Sequence, residues 1–408
     1  MEVVRKEYFQ RLLGWKDKKM IKVITGIRRC GKSTLLKMFR EYLLEHGIGE
    51  NQMISINFED YEYQELWQPK ALYQYIKERL QPGKMTYLFL DEIQNVKEFQ
   101  RVVDSFFLRD NVDIYITGSN SYMLSGELAT LLTGRYIQIE MLPFSFAEYV
   151  QMHGMESSVE EAYRNYIASS SFPFVANIAS EPEQVQDYLR SIYETIILKD
   201  VVGRKKITDV MMLESVIRFL SDNIGNPLST KKISDTMASN GRRINVRTVE
   251  AYLSAFMDSY IIYQAKRYDV KGKQYLKTLE KYYMVDIGLR RAMLGNSGQA
   301  DTGHILENVV YLELVRRGYR VYVGKVDNLE VDFVAMDQEG LRYIQVAATV
   351  REQATLEREL KPLQKIADNY PKCILTLDMD PPADYEGIRR LNALDFLLGD
   401  RFLKTGKT

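Results

Sequence analysis

Residues Gly26 to Ser33 read GIRRCGKS, which meets the pattern GxxxxGK[ST] at every fixed position. Each fixed position has a chemical reason. Glycines let consecutive backbone N–H groups curl around phosphate oxygens, a lysine reaches the β- and γ-phosphates, and a serine hydroxyl completes a Mg2+ shell. Here those roles fall to Gly26 and Gly31, to Lys32 and to Ser33, with Arg29, Cys30 and Thr34 in the same turn. Cys30 reads as a small filler of the loop rather than a redox switch. Further along, TYLFLDEIQ ends an apolar run in two acids. Asp91 is placed to hold Mg2+ and Glu92 to polarise an attacking water. The next apolar run ends in Thr117-Gly118-Ser119-Asn120, where Ser119 or Asn120 would sense a γ-phosphate. Arg135, after Leu132-Thr133-Gly134, reads either as an arginine finger or as a partner in a structural ion pair. The implied cofactors are ATP and Mg2+.

Two further constellations lie downstream. Arg242, Arg243 and Arg247 fall in one short segment, Lys231 and Lys232 just before it, and Lys266, Arg267, Lys271 and Lys273 on the runs that follow. With 55 Lys and Arg against 55 Asp and Glu, the whole chain has no net charge, so these cations are a local concentration. That is the electrostatic footprint expected for duplex DNA; the competing reading is a protein-contact module. Apolar Val249, Tyr252, Leu253 and Phe256 recur at helical spacing and read as core.

The last constellation is Glu307 on a helix, then Asp332 and Gln345 on successive strands. It has the layout of a metal-dependent nuclease core, in which the final strand ends acid-x-Lys. Here that strand ends Gln345-Val346-Ala347. A glutamine carbonyl is a weaker ligand than a carboxylate for a hard cation. Ala347 lacks the charge that stabilises a scissile phosphate, a loss of about 3–4 kcal/mol by analogy with oxyanion-hole donors. Three readings compete: a nuclease fold kept for docking without its chemistry, an active site in which a lysine such as Lys325 substitutes, and an ordinary hairpin.

The first motifs sit at the ends of apolar runs, which are IKVIT, MISINF, TYLFLD, DIYIT and YIQIE, separated by helix-length segments. Runs of that length between helices predict parallel strands buried on both faces of an open α/β sheet. Residues 146–205 read as a helical extension. Over 206–292, helices are expected at about 210–223, at STKKISDTMAS capped by Ser229, and at VRTVEAYLSAFMDS capped by Asn245. A hairpin of YIIYQAKRYD and YLKTLEKYYMVD follows, giving the winged helix-turn-helix plan. Residues 299–408 read as a further α/β domain, after a P-loop core over 1–145.

At 408 residues the chain is too long for one ordinary core. Two cysteines far apart, Cys30 and Cys373, and three scattered histidines speak against a disulfide framework and a zinc module. MEVVRKEYFQRLLGWKDKKM has charges throughout and is not a signal peptide, and no stretch has the apolar length of a membrane span. A cytoplasmic protein is expected. The oligomeric state is open.

GIRRCGKST, LFLDEIQ, ITGSNSYMLS, LLTGRY, LPFSFAEY and the closing LENVVYLEL…LEVDF…IQV together resemble the bacterial and archaeal AAA-type P-loop ATPases that carry a winged helix and a C-terminal PD-(D/E)xK nuclease-like domain. The resemblance covers nearly the full length. It implies ATP binding, Mg2+-dependent hydrolysis and a DNA-related or regulatory role. The alternatives are an ATP-responsive DNA-binding regulator with little turnover and an ATP-gated nuclease with an altered site.

Overall fold

All five apolar runs of the N-terminal third become strands: β1 (Ile21–Thr25), β2 (Met53–Asn57), β3 (Thr86–Asp91), β4 (Val112–Gly118) and β5 (Tyr136–Glu140). They lie parallel in the order β2-β3-β4-β1-β5. Every residue of β1, β3 and β4 is buried, as a sheet covered on both faces requires. One face packs Ile54, Leu88, Ile114 and Ile116 against Leu72 and Ile76 of α3 (Pro69–Arg79) and Val102 and Phe106 of α4 (Phe99–Phe107). Phe39 of α2 (Lys32–Glu45) meets the rings of Tyr115 and Phe89, with centroids 5.1 and 6.4 Å away. A short helix, α1 (Lys6–Trp15), precedes the sheet. Because β4 lies between β1 and β3, the segments leaving the carboxyl ends of these three strands converge at one edge.

The computed structural model describes residues 3–121, 132–154, 158–205, 207–295 and 302–399. Residues 122–131, which include part of the ITGSNSYMLS and LLTGRY motifs, lie outside them. The described chain divides into two units: residues up to Pro143 with Asp258–Tyr260, and the remainder.

The second unit begins with α5 (Phe146–His153), whose start is fixed by a reciprocal cap. Ser145 Oγ accepts the Glu148 N–H at 3.1 Å, and Glu148 Oε2 accepts the Ser145 N–H at 2.8 Å. α6 (Val159–Ala168) and α7 (Pro182–Thr195) follow, then α8 (Val210–Asp222), α9 (Thr230–Ser239) and α10 (Val246–Asp258). The caps read from the sequence are present: Ser229 Oγ accepts from Lys232 N at 3.1 Å, and Asn245 Oδ1 from Thr248 N at 2.8 Å. The hairpin is β6 (Ile262–Asp269) and β7 (Gln274–Met284). α11 (Ile287–Leu294) and α12 (Thr302–Arg316) lead to β8 (Arg320–Val326), β9 (Leu329–Asp337) and β10 (Gly340–Ala347). Next come α13 (Gln353–Gln364), β11 (Lys372–Thr376), β12 (Ala383–Tyr385), β13 (Ile388–Asn392) and α14 (Ala393–Leu397).

The hairpin expected as the wing forms the edge of a larger sheet. β6 runs parallel to β8, and the two runs join one eight-stranded sheet in the order β12-β13-β11-β10-β9-β8-β6-β7. At its turn, Val270 N donates to Lys325 O at 3.0 Å, and Lys271 Nζ lies 2.7 Å from Asp327 Oδ1. Burial of Ile262, Ala265, Tyr282 and Tyr283 explains the arrangement. A hairpin with that much apolar surface gains more from joining a sheet than from projecting into water.

Candidate functional site

The phosphate-loop sequence folds as its glycines demand. Gly26 has φ +144°, and a Cβ there would stand 2.1 Å from the carbonyl oxygen of Met141, so no other residue fits. Gly31 has φ +101° and opens α2, whose start carries no side-chain cap. The uncapped first-turn N–H groups form an anion-binding end. Lys32 is buried and donates to Gly26 O at 3.0 Å and Ile27 O at 3.2 Å, which curls its side chain over the loop. Ser33 and Thr34 are exposed at the mouth of the turn. Arg28 pairs with Glu59 at 3.0 Å, and Arg29 is exposed at φ +64°. Cys30 is fully buried, its thiol pushed up by burial, which fits the filler reading.

Behind the loop stands the acid pair. Asp91 accepts hydrogen bonds from the hydroxyls of Ser33 and Thr117. Burial nonetheless pushes its carboxyl above the ordinary value. Glu92 has left-handed backbone, φ +53°, a conformation that costs a non-glycine residue about 1–2 kcal/mol. Its N–H is held by Thr117 Oγ1 at 2.9 Å. Its side chain receives the Gln94 amide and lies 3.6 Å from Lys32 Nζ. Burial alone would raise the Glu92 carboxyl; Lys32, Gln94 and Arg28 outweigh it and hold it below its usual range. Thr117 is thus the residue that positions both acids, a role its place at the end of an apolar run did not single out.

The arrangement fits a magnesium nucleotide. Ser33 and Asp91 offer hard oxygen ligands side by side. Lys32 and the helix start supply positive charge and donors for phosphate. Ser119 and Asn120 follow β4 directly, and both are buried. Arg135 does not join this edge. Its backbone oxygen accepts the N–H of Ile21 at the amino end of β1. The phosphate loop leaves the other end, about 13 Å away at roughly 3.3 Å per residue. Its guanidinium pairs with Asp104 and lies 5.6 Å from the Phe107 ring centroid, which ties α4 to the sheet. Within one chain, the ion-pair reading of Arg135 is the one the geometry carries.

In the second unit, Arg243, Arg247, Lys231, Lys232 and Lys273 are exposed and Arg242 is half-buried. Among the described residues none of these six has an acidic partner. Lys271 differs: its ammonium is committed to Asp327. Glu307, Asp332 and Gln345 do come together. The lysine that reaches them is Lys281 of β7, not Lys325, whose strand β8 meets the turn of the hairpin through its backbone. The run KYYM could have pointed to it, since Lys281 opens an apolar stretch in which Tyr282, Tyr283 and Met284 are all buried.

Among the described residues no helix is long and apolar enough to cross a membrane. Residues 18–150 match the AAA domain family, and residues 160–300 match a domain of unknown function (DUF8612). An uncharacterised protein of Haemophilus influenzae is 40% identical over 97% of this chain and 98% of its own length. One from Methanocaldococcus jannaschii is 32% identical over 85% of this chain and 78% of its own. In fold, the chain is similar to a Walker-type ATPase of Pyrococcus abyssi, with TM-score 0.51 at 15% identity, over 72% of this chain and 96% of that one. This chain therefore belongs to the family of these Haemophilus influenzae and Methanocaldococcus jannaschii proteins, and it carries an α/β, parallel-sheet AAA-type P-loop ATPase domain.

Proposed function

We propose that this protein is a Mg2+-dependent ATP hydrolase whose nucleotide state governs a DNA-contacting winged helix-turn-helix, with the C-terminal nuclease-like sheet serving without nuclease chemistry. The observation that carries the reading is the convergence of Lys32, Ser33, Asp91 and Glu92 on one edge of the first sheet, with Thr117 hydrogen-bonded to both acids. ATP brings the transferable γ-phosphoryl group and Mg2+ the charge that offsets its oxygens. Lys32 and the first-turn N–H groups of α2 bind phosphate. Ser33 and Asp91 hold the metal. Glu92, kept ionised by Lys32, takes the proton of the attacking water.

Three helices in the order α8, α9 and α10, followed by the hairpin, support the winged helix reading. So does a bridge from Leu228, between α8 and α9, to Glu280 of β7. The unpaired cations at the starts of α9 and α10 support duplex contact, with α10 as the helix that enters the major groove. The hairpin takes no part in backbone contact through Lys271.

ATP turnover measured with and without duplex DNA, with product gels run from the same reactions, tests the whole reading. The expected result is hydrolysis stimulated by duplex and no cleavage. Salt-dependent duplex binding without turnover would leave a regulator in which ATP is only a ligand. Cleavage that disappears in Asp332→Ala would make it an ATP-gated nuclease.

A further inference from the structure

Three carboxylates from two layers of the second unit converge on one ammonium. Lys281 Nζ lies 2.9 Å from Glu307 Oε1 of α12, and 2.8 and 3.4 Å from Glu330 Oε1 and Asp332 Oδ1 of β9. Its side chain is only 3% exposed. Protein donors reach two of these carboxylates as well. Tyr283 donates its hydroxyl to Glu307 Oε1 at 2.6 Å, and Val346 N donates to Asp332 Oδ2 at 2.9 Å. Gln345 has both ends spoken for: Oε1 accepts the Asp332 N–H at 2.7 Å, and Nε2 donates to Glu359 Oε2 at 2.8 Å.

A divalent ion in a nuclease-like core would draw on Glu307, Asp332 and the residue at position 345. Here the first two already share an ammonium, and the third spends its oxygen on backbone. The residues do not fit the ion that the fold would imply.

We infer that Lys281 is a resident cation standing where a divalent metal would bind, so that the nuclease-like carboxylates latch β7 to α12 and β9. A buried charge needs partners of opposite sign and filled hydrogen bonds, and Lys281 has both. The neighbouring residue of α12 grips the same strand. Asn308 Oδ1 accepts the Met284 N–H at 2.8 Å, and its Nδ2 donates to Met284 O at 2.8 Å. The carboxylate set therefore fixes the hairpin of the helix-turn-helix module to the C-terminal sheet. Removing the ammonium leaves three carboxylates facing one another, a set that recruits a hard cation.

The inference rests on the nuclease-like reading for the expectation of a metal. The test is Mn2+ binding followed by electron paramagnetic resonance on the full-length, nucleotide-free protein. Wild type and Asp332→Asn are expected to bind the same amount. Lys281→Ala is expected to gain about one Mn2+ per chain and lose it again in Lys281→Ala/Asp332→Asn. A wild-type site abolished by Asp332→Asn would overturn the inference, as would a folded Lys281→Ala protein that gains none. Should Lys281→Ala fail to fold, the wild-type and Asp332→Asn pair decides alone. Mn2+ binding that is lost in Asp332→Asn, with no DNA cleavage, would sink only this inference; cleavage lost in Asp332→Asn would sink the non-nuclease reading as well.

Discussion

The hydroxyl of Thr117 stands between the two acids of the first unit, accepting the Glu92 N–H at 2.9 Å while donating to the Asp91 carboxylate. One side chain at the end of β4 is thus hydrogen-bonded to both acids, and it holds the N–H of Glu92, whose backbone is left-handed. Thr117→Val keeps the shape and removes both hydrogen bonds. With the Glu92 N–H left buried and unpaired, the expected loss of stability is about 1–3 kcal/mol. ATP turnover is expected to fall about tenfold or more, whereas Thr117→Ser retains most of it. Steady-state kinetics and denaturant melts on the two variants check this.

Lys32 lies 3.6 Å from the Glu92 carboxylate and does most to keep it ionised. Lys32→Ala is expected to abolish binding of a fluorescent ATP analogue. In a fluorescence titration, wild type saturates and the variant does not.

Among the described residues the cations at α9 and α10 are free, whereas Lys271 in the hairpin turn pairs with Asp327. Arg247→Ala, or Arg242→Ala with Arg243→Ala, is expected to weaken duplex binding and to lower the slope of log K against log salt by about one per residue removed. Lys271→Ala is expected to leave that slope unchanged, because its charge is already spent on Asp327. Fluorescence anisotropy over a salt series separates the two groups.

A pH signature resides in Glu307. Burial pushes its carboxyl up to about 7, with Asp332 adding to the shift and Lys281 and Tyr283 opposing it. A carboxyl that holds its proton more tightly when folded contributes stability below its unfolded value of 4.5, and that contribution is lost as pH rises through about 7. Glu307→Gln carries no such dependence. Relative to wild type, the variant is expected to gain roughly 1–3 kcal/mol between pH 5 and pH 8, read from thermal or urea melts at several pH values.

Much of the ATPase core was legible in the sequence, because its information is local. The five strands are continuous apolar runs, the phosphate loop needs its glycines at fixed spacing, and Ser229 and Asn245 cap helices within three residues of themselves. What escaped reading depends on tertiary register. Arg135 is close in sequence to a strand of the core, yet parallel pairing with β1 sets it at the edge opposite the phosphate loop. Lys281 meets Asp332 across 51 residues. Only the joining of β6 to β8 brings them together, and nothing in the local pattern of either strand specifies that pairing. Ala347 leaves no lysine at that end of β10, and that Lys281 of β7 lies beside Glu307 and Asp332 is a property of the sheet.

In the proposed hydrolase Glu92 is the base that acts on the attacking water. Single-turnover hydrolysis by wild type and Glu92→Gln, with bound ATP followed in parallel, tests it most directly. The variant is expected to bind ATP as wild type does but to hydrolyse it roughly 10²–10⁴-fold more slowly, so that ATP accumulates on the protein. Normal turnover by Glu92→Gln would contradict it.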